Sequence, residues 1–152
     1  DQETISTTLR VNYTINPNLT IQYYGQPFIA RGKYRNFNYV NDPIAKSLRD
    51  RVTLYDTNQI SFEEDSYLVD ENRDGTTDYS FRNPDFAFVQ FRSNLVLRWE
   101  YIPGSELFFV WARGGAGYDN ADNSLSRSFR NQILDKPLEN TFLIKATYRF
   151  VR

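Results

Sequence analysis

The stretch VQFRSNLVLRWEYIPGSELFFVWAR, Val89 to Arg113, decides the fold. Val89, Phe91, Leu95, Leu97, Trp99 and Tyr101 recur at every second position, interrupted by Ser93. Gln90, Arg92, Asn94, Arg98 and Glu100 fill the positions between, with Val96 the one apolar intruder. Successive strand residues point to opposite faces, so this period of two predicts a strand with one apolar and one polar face. Pro103-Gly104-Ser105 signals a tight turn. A second strand then runs from about Glu106 to Arg113, with Leu107, Phe109 and Trp111 on one face.

The same alternation appears elsewhere in the chain. Ile5, Thr7, Leu9, Val11, Tyr13 and Ile15 share a face, with Ser6, Thr8, Arg10, Asn12 and Thr14 opposite. Asn16-Pro17-Asn18 turns the chain into a strand carrying Leu19, Ile21 and Tyr23. Near the other end, Phe142, Ile144, Ala146, Tyr148 and Phe150 alternate with Lys145, Thr147 and Arg149. The pattern gives about five long strands. Two polar connections, residues 25–84 and 114–140, separate them. In the first, Asp42-Pro43 predicts a short helix reaching Leu48, and residues 51–55 and 59–62 read as short strands. In the second, Leu125, Phe129 and Ile133 recur every fourth residue and predict a short amphipathic helix.

Composition narrows the function classes. The chain holds no Cys, Met or His, which removes disulfides, thiol chemistry and the commonest general base. The balance of 18 basic against 19 acidic residues argues against a nucleic-acid partner. No apolar run is long enough for a membrane helix, so any integral membrane contact is made by strands. Aromatics are abundant at 16%, with 12 Phe and 11 Tyr.

An all-β, antiparallel transmembrane barrel of the outer-membrane type accounts for three features together. Turn lengths alternate short, long, short, long, as periplasmic turns and extracellular loops do. Tyr13, Trp99, Tyr101, Tyr148 and Phe150 fall near one end of the strands, and Tyr23, Phe91, Trp111 and Phe142 near the other. That is the preference of amphipathic rings for the two membrane interfaces. Arg10, Arg92, Arg98, Glu100, Lys145 and Arg149 share the opposite face, where a solvated lumen would take them. The expectation is therefore the C-terminal part of a bacterial outer-membrane barrel, with residues 25–84 and 114–140 outside the cell. Closed membrane barrels need about eight strands or more. The remaining strands are thus expected upstream in the same precursor or in another chain, with outer-membrane lipid around them.

The segments NPNLTIQYYGQPFIARGKY (Asn16 to Tyr34), NPDFAFVQFRSNLVLRWEYIPGSELFFVW (Asn83 to Trp111) and NTFLIKATYRF (Asn140 to Phe150) resemble the C-terminal region of a Bacteroidota family of unknown function. In that family a carbohydrate-binding, family-9-like module precedes a large barrel-like region. The resemblance implies a surface or outer-membrane role with a glycan connection. It supplies no catalytic residues.

One local motif points to a ligand. Asp70-Glu-Asn-Arg-Asp-Gly-Thr-Thr-Asp78 reads D-x-N-x-D-G-x-x-D. Calcium takes six to eight oxygens, and alternate side chains of a tight loop can converge on one ion. The candidate metal ligands are Asp70, Asn72, Asp74, the Thr76 carbonyl and Asp78, with Gly75 allowing the sharp turn. Phe81 stands where an EF-hand would place its bidentate Glu, so a further oxygen would come from Glu63, Glu64 or Asp65. Tyr67-Leu-Val and Tyr79-Ser-Phe read as strands, so the ion would close a hairpin. The other reading is an ordinary polar turn. Glu63-Glu64-Asp65 has the composition of an acid/base pair, but adjacent carboxylates on a loop are usually a solvated turn. Gly114-Gly-Ala-Gly117 lacks the Lys-Ser/Thr of a phosphate loop and reads as the start of a mobile loop. No catalytic residue is assigned, and the chain is expected not to be an enzyme. The leading function is structural: barrel strands that anchor a surface domain or belong to a transport or secretion assembly. The alternative is a soluble calcium-stabilised β-domain, an adhesin or glycan-binding module, with Phe37, Tyr39 and Tyr118 stacking on sugars.

Overall fold

The structure, a computed structural model, describes residues 1–150. In chain order its elements are β1 (Gln2–Ser6), β2 (Leu9–Asn16), β3 (Leu19–Gly32), β4 (Asn38–Val40), α1 (Leu48–Arg51), β5 (Val52–Leu54), β6 (Ile60–Glu63), β7 (Ser66–Val69), β8 (Tyr79–Arg82), β9 (Phe86–Ile102), β10 (Ser105–Asp119), α2 (Leu125–Phe129) and β11 (Glu139–Ala146). A π-helical turn, Arg130–Leu134, continues α2. The protein is all-β, and no closed barrel is present among the described residues. The chain forms two compact units, residues 2–31 with 86 onward, and residue 1 with 32–85.

The larger unit is one long sheet with the order β1-β3-β9-β10-β11, and β2 pairs with β3 beside β1. The five expected strands are all there, with shifted ends. The single strand expected over Ile5 to Ile15 is split at Thr7-Thr8. In the β2–β3 register Leu9 faces Gly25, which places Thr7 opposite Pro27. The Thr7 amide donates to the Pro27 carbonyl at 3.2 Å. Pro27 has no N–H to return, so the ladder breaks there.

Two stretches assigned to connections are strand instead. β3 runs on to Gly32 and β10 to Asp119. The Gly114–Gly117 tract therefore opens no loop: it pairs with Arg92 to Val89 of β9. Its small residues let neighbours approach. A Cβ on Gly114 would lie 2.9 Å from the Phe91 carbonyl oxygen. The last strand starts earlier than expected and its regular part ends at Ala146. Beyond it Thr147 and Glu106 still exchange backbone hydrogen bonds, where β10 shifts register against β9 at Ser105/Glu106.

The amphipathic helix expected around Leu125, Phe129 and Ile133 is α2 with its π-helical turn. Ser124 caps it, its Oγ accepting from the Arg127 amide at 3.3 Å. The buried stripe meets Ile29 and Val89, with Phe91 and Leu138 alongside. Ile29, Val89 and Ile133 are 7%, 0% and 3% exposed and form the core of this unit. Phe91 stands edge-on to Phe129 at 6.5 Å. It therefore belongs to this covered core and not to the outer aromatic belt in which its spacing placed it.

The smaller unit holds the three-stranded sheet β6-β7-β8 and the pair β4-β5. The helix expected from Asp42 to Leu48 is displaced to α1. Asp42 makes the expected cap contact, its carboxylate accepting from the Ile44 amide at 3.2 Å, but only one turn follows, closed by the Ala45 amide on the Asp42 carbonyl at 3.3 Å. Phe37, Tyr67 and Phe81 pack together, with centroids 4.5 Å (Phe37–Tyr67) and 5.1 Å (Phe37–Phe81) apart.

Candidate functional site

The feature that stands apart is the two-faced central part of the large sheet. The register fixes its rows. Trp99, Leu107 and Ala146 lie side by side; then Leu97, Phe109 and Ile144; then Leu95, Trp111 and Phe142. The next row is Ser93, Arg113 and Asn140, where polarity returns. On β2, Val11 and Tyr13 face Tyr23 and Ile21 of β3. The three complete rows hold no charged side chain. Nothing among the described residues covers them: Trp99, Phe142 and Ile144 are 46%, 62% and 71% exposed. A contiguous apolar surface of this kind is rare on a soluble monomer and marks a contact with another phase or protein.

Aromatic rings end the band at both sides. Trp111 stacks on Phe142 at 6.0 Å, and its indole N–H donates to Asn140 Oδ1 at 2.9 Å. At the turn end, Trp99 and Tyr101 sit edge-on at 6.1 Å, and the Tyr101 hydroxyl donates to the Thr147 carbonyl. Each ring thus has an apolar body toward the band and, for Trp111 and Tyr101, a polar tip already bonded.

The other face carries the charges, and several of them have partners. Arg98 forms a salt bridge with Glu106 across the β9–β10 pair. Arg10 lies over the Tyr24 ring at 5.4 Å, and Lys145 over Phe108 at 5.8 Å. Glu100 accepts from the Gly104 amide at 2.7 Å. Two shallow grooves mark this face. One, of about 300 Å³, lies between Arg10, Asn12, Gln22 and Asn94. The other, of about 570 Å³, runs over the small-residue row Ala112, Gly114 and Ala116 beside Arg92 and Glu139.

Strand length divides the sheet in the same place. β9 has 17 residues and β10 has 15, whereas about 9–11 tilted residues cross a bilayer core. The first ten or so residues from the Pro103-Gly104 turn end near Ser93 on β9 and Gly114 on β10. The core of Ile29, Val89, Phe91 and Ile133 lies beyond that line. So the uncovered apolar band and the covered core occupy successive segments of the same face. Sequence periodicity could not separate them, because both need apolar residues at alternate positions.

In the smaller unit, Asp70, Asn72, Asp74, Thr76 and Asp78 sit on the connection between β7 and β8, which pair as the expected hairpin. Gly75 has φ +87°, the left-handed conformation its place in the motif requires. The side chains curl the loop. Asp70 accepts from the amides of Asp74 (3.1 Å) and Gly75 (2.8 Å), Asn72 from Asp74 (2.9 Å), and Asp78 from Glu71 (2.7 Å). Hydrogen bonds from the Thr76 hydroxyl and amide hold the Asp74 carboxyl below its ordinary value. Among the described residues no three His, Cys, Asp or Glu side chains converge on one metal position. The loop's own hydrogen bonds hold the curl, and the carboxylates of Asp70, Asp74 and Asp78 are engaged with the backbone.

The remaining sequence candidates are placed plainly. Glu64 and Asp65 form the two-residue turn of the β6–β7 hairpin with φ of 47° and 64°, and with Glu63 they are exposed. Phe37 and Tyr39 are spent on neighbouring rings, Tyr39 lying 5.0 Å from Tyr55. Tyr118 is 71% exposed beside Phe88. The Tyr55–Tyr79 hydroxyl pair carries no signal in the sequence. Burial, then the hydrogen bond to Tyr79, pushes the Tyr55 phenol well above its ordinary value.

A family model described as a domain of unknown function, DUF5916, matches residues 1–151. No curated protein matches the chain, and no solved structure does. No helix among the described residues is long and apolar enough to cross a membrane.

Proposed function

We propose, for a chain that belongs to the DUF5916 family, that it forms strands of a bacterial outer-membrane β-barrel. In this reading the barrel anchors a surface domain or is part of a transport or secretion assembly. One observation carries the proposal: a charge-free, exposed apolar band, bounded by aromatic rings, lies back to back with a face that carries the Arg98–Glu106 ion pair and holds Arg10 and Lys145 over aromatic rings. Lipid against the first face and water against the second satisfy both.

The sheet edges support the same reading. β2 and β11 each have a strand on one side only among the described residues. Unpaired backbone groups cannot stay so in hydrocarbon. Further strands, upstream in the same precursor or from another chain, would complete the barrel. The two turns at Pro17 and Pro103-Gly104 face the periplasm in this proposal, and the long connections face outward. The resemblance to Bacteroidota proteins adds an N-terminal carbohydrate-binding module and contact with surface glycans to the proposal. Calcium enters it as a structural ion at Asp70, Asn72, Asp74, Thr76 and Asp78, supported by the spacing and by Gly75. No catalytic step is part of it.

The experiment is the intact mass of the denatured polypeptide carrying this sequence, recovered from carbonate-washed outer membranes. Recovery in the washed pellet supports the barrel, and a mass well above 17.9 kDa locates its other strands in the same polypeptide. Recovery in the wash alone overturns the proposal in favour of a soluble β-domain.

A further inference from the structure

We propose that the cationic rim directly above the apolar band, formed by Arg113, Arg127, Arg130 and Lys136, docks the phosphorylated headgroups of anionic lipid in the outward-facing leaflet. This rests on the barrel reading.

Arg113 shares a face with Phe109 and Trp111, one alternate position beyond Trp111, level with Ser93 and Asn140. It is therefore the first charge met on leaving the apolar band. α2 and its π-helical turn rest on the same face a little farther out. Phe129 meets Phe91, which pairs with Gly115, and Leu138 lies where a Cβ on Gly115 would stand. The helical segment buries Leu125, Phe129 and Ile133 against the sheet. Its other side leaves Arg127, Arg130 and Leu134 exposed, at spacings of three and four residues, with Lys136 just beyond.

The electrostatics favour a phosphate. Among the described residues Arg113, Arg127 and Arg130 make no salt bridge, and Lys136 bonds the neutral Gln132 amide oxygen at 2.6 Å. Of the nearby acids, Asp119 is turned onto Asn123 and Asn131, and Glu139, paired with Gly114, lies on the polar face. Only Asp135 accompanies the four cations along this segment. Guanidinium groups bind phosphate through paired N–H donors. Leu134, 66% exposed between the cations, gives the segment the mixed apolar and basic surface of an interfacial helix. Continuity with the Trp111–Phe142 aromatic boundary selects a lipid headgroup over a diffusing anion.

The test uses the complete protein, purified from membranes and inserted into vesicles of phosphatidylcholine alone or phosphatidylcholine doped with phosphatidylglycerol. Bound phosphatidylglycerol is counted by native mass spectrometry after gentle extraction. Wild type should retain it. The variant carrying Arg113→Gln, Arg127→Gln and Arg130→Gln should retain at least about fivefold less, with unchanged urea resistance in phosphatidylcholine vesicles. Equal retention by the variant overturns the proposal. Release of the lipid by inorganic phosphate overturns it in favour of a soluble-anion site. Failure of wild type to insert into either vesicle overturns the barrel reading itself, and this proposal with it.

Discussion

Replacing Ile144 by Arg separates a lipid-facing sheet from a soluble one by the size of the effect. Ile144 lies in the middle row of the apolar band, level with Phe109 and, one strand farther, Leu97. It is 71% exposed and on the edge strand β11, so few contacts are lost within the chain. In water such a surface change costs about 0.5 kcal/mol or less, and it lowers the apolar area that drives aggregation. At the bilayer midplane the same Arg costs about 2–4 kcal/mol. That is roughly a 30- to 700-fold change in the folding equilibrium, since about 1.4 kcal/mol is tenfold. The assay is urea unfolding of the vesicle-inserted protein, followed by tryptophan fluorescence. Lys145→Arg, one residue along on the polar face, serves as the control and should change little. If Ile144→Arg folds as well as wild type in lipid, or is needed for nothing but solubility, the apolar band does not face lipid.

Other outcomes follow from the same structure. Ile133→Ala removes a side chain that is 3% exposed from the helical cover and should cost about 2–5 kcal/mol, seen as faster hydrogen exchange over residues 125–138 with the band unaffected. Gly114→Ala should weaken the β9–β10 pairing, because its Cβ would meet the Phe91 carbonyl oxygen at 2.9 Å; amide exchange at Phe91 to Ser93 reads this. Asp74 has a lowered pKa from its Thr76 hydrogen bonds. Its contribution to loop order is complete above the ordinary carboxylate value and is lost as pH falls below it, which proteolysis between Asp70 and Asp78 against pH will follow. Calcium should slow that cleavage at neutral pH, and Asp70→Ala should abolish the protection. The Tyr55 phenol, raised first by burial and then by Tyr79, should remain protonated above the ordinary phenol range; Tyr55→Phe should remove this late step from the phenolate absorbance titration.

The strands were legible because period two survives any context. Leu95, Leu97 and Trp99 alternate whether their face meets lipid or a core. Their ends were less so. The break at Thr7-Thr8 depends on Pro27, twenty residues away in sequence, and appears only once the register sets the two opposite each other. The Gly114–Gly117 tract read as a loop because glycine usually breaks strands. Here it gives room to Gln132 and Leu138, a tertiary demand that local composition does not express. Phe91 had the spacing of a belt aromatic, and only the arrival of Phe129 made it core. The hairpin around Asp70 to Asp78 was readable from its flanking strands and Gly75. The hydrogen bonds that occupy its carboxylates were not, since backbone amides have no letter in the sequence.

The most direct measurement is a cysteine scan of β9. The chain has no native cysteine, so Leu95, Val96, Leu97, Arg98 and Trp99 can each be replaced singly by Cys in the membrane-inserted protein. Each is labelled with a polarity-sensitive fluorophore and tested for quenching by spin-labelled lipid. The account predicts quenching at positions 95, 97 and 99 and not at 96 and 98. Uniform quenching, no quenching, or the opposite alternation would contradict it.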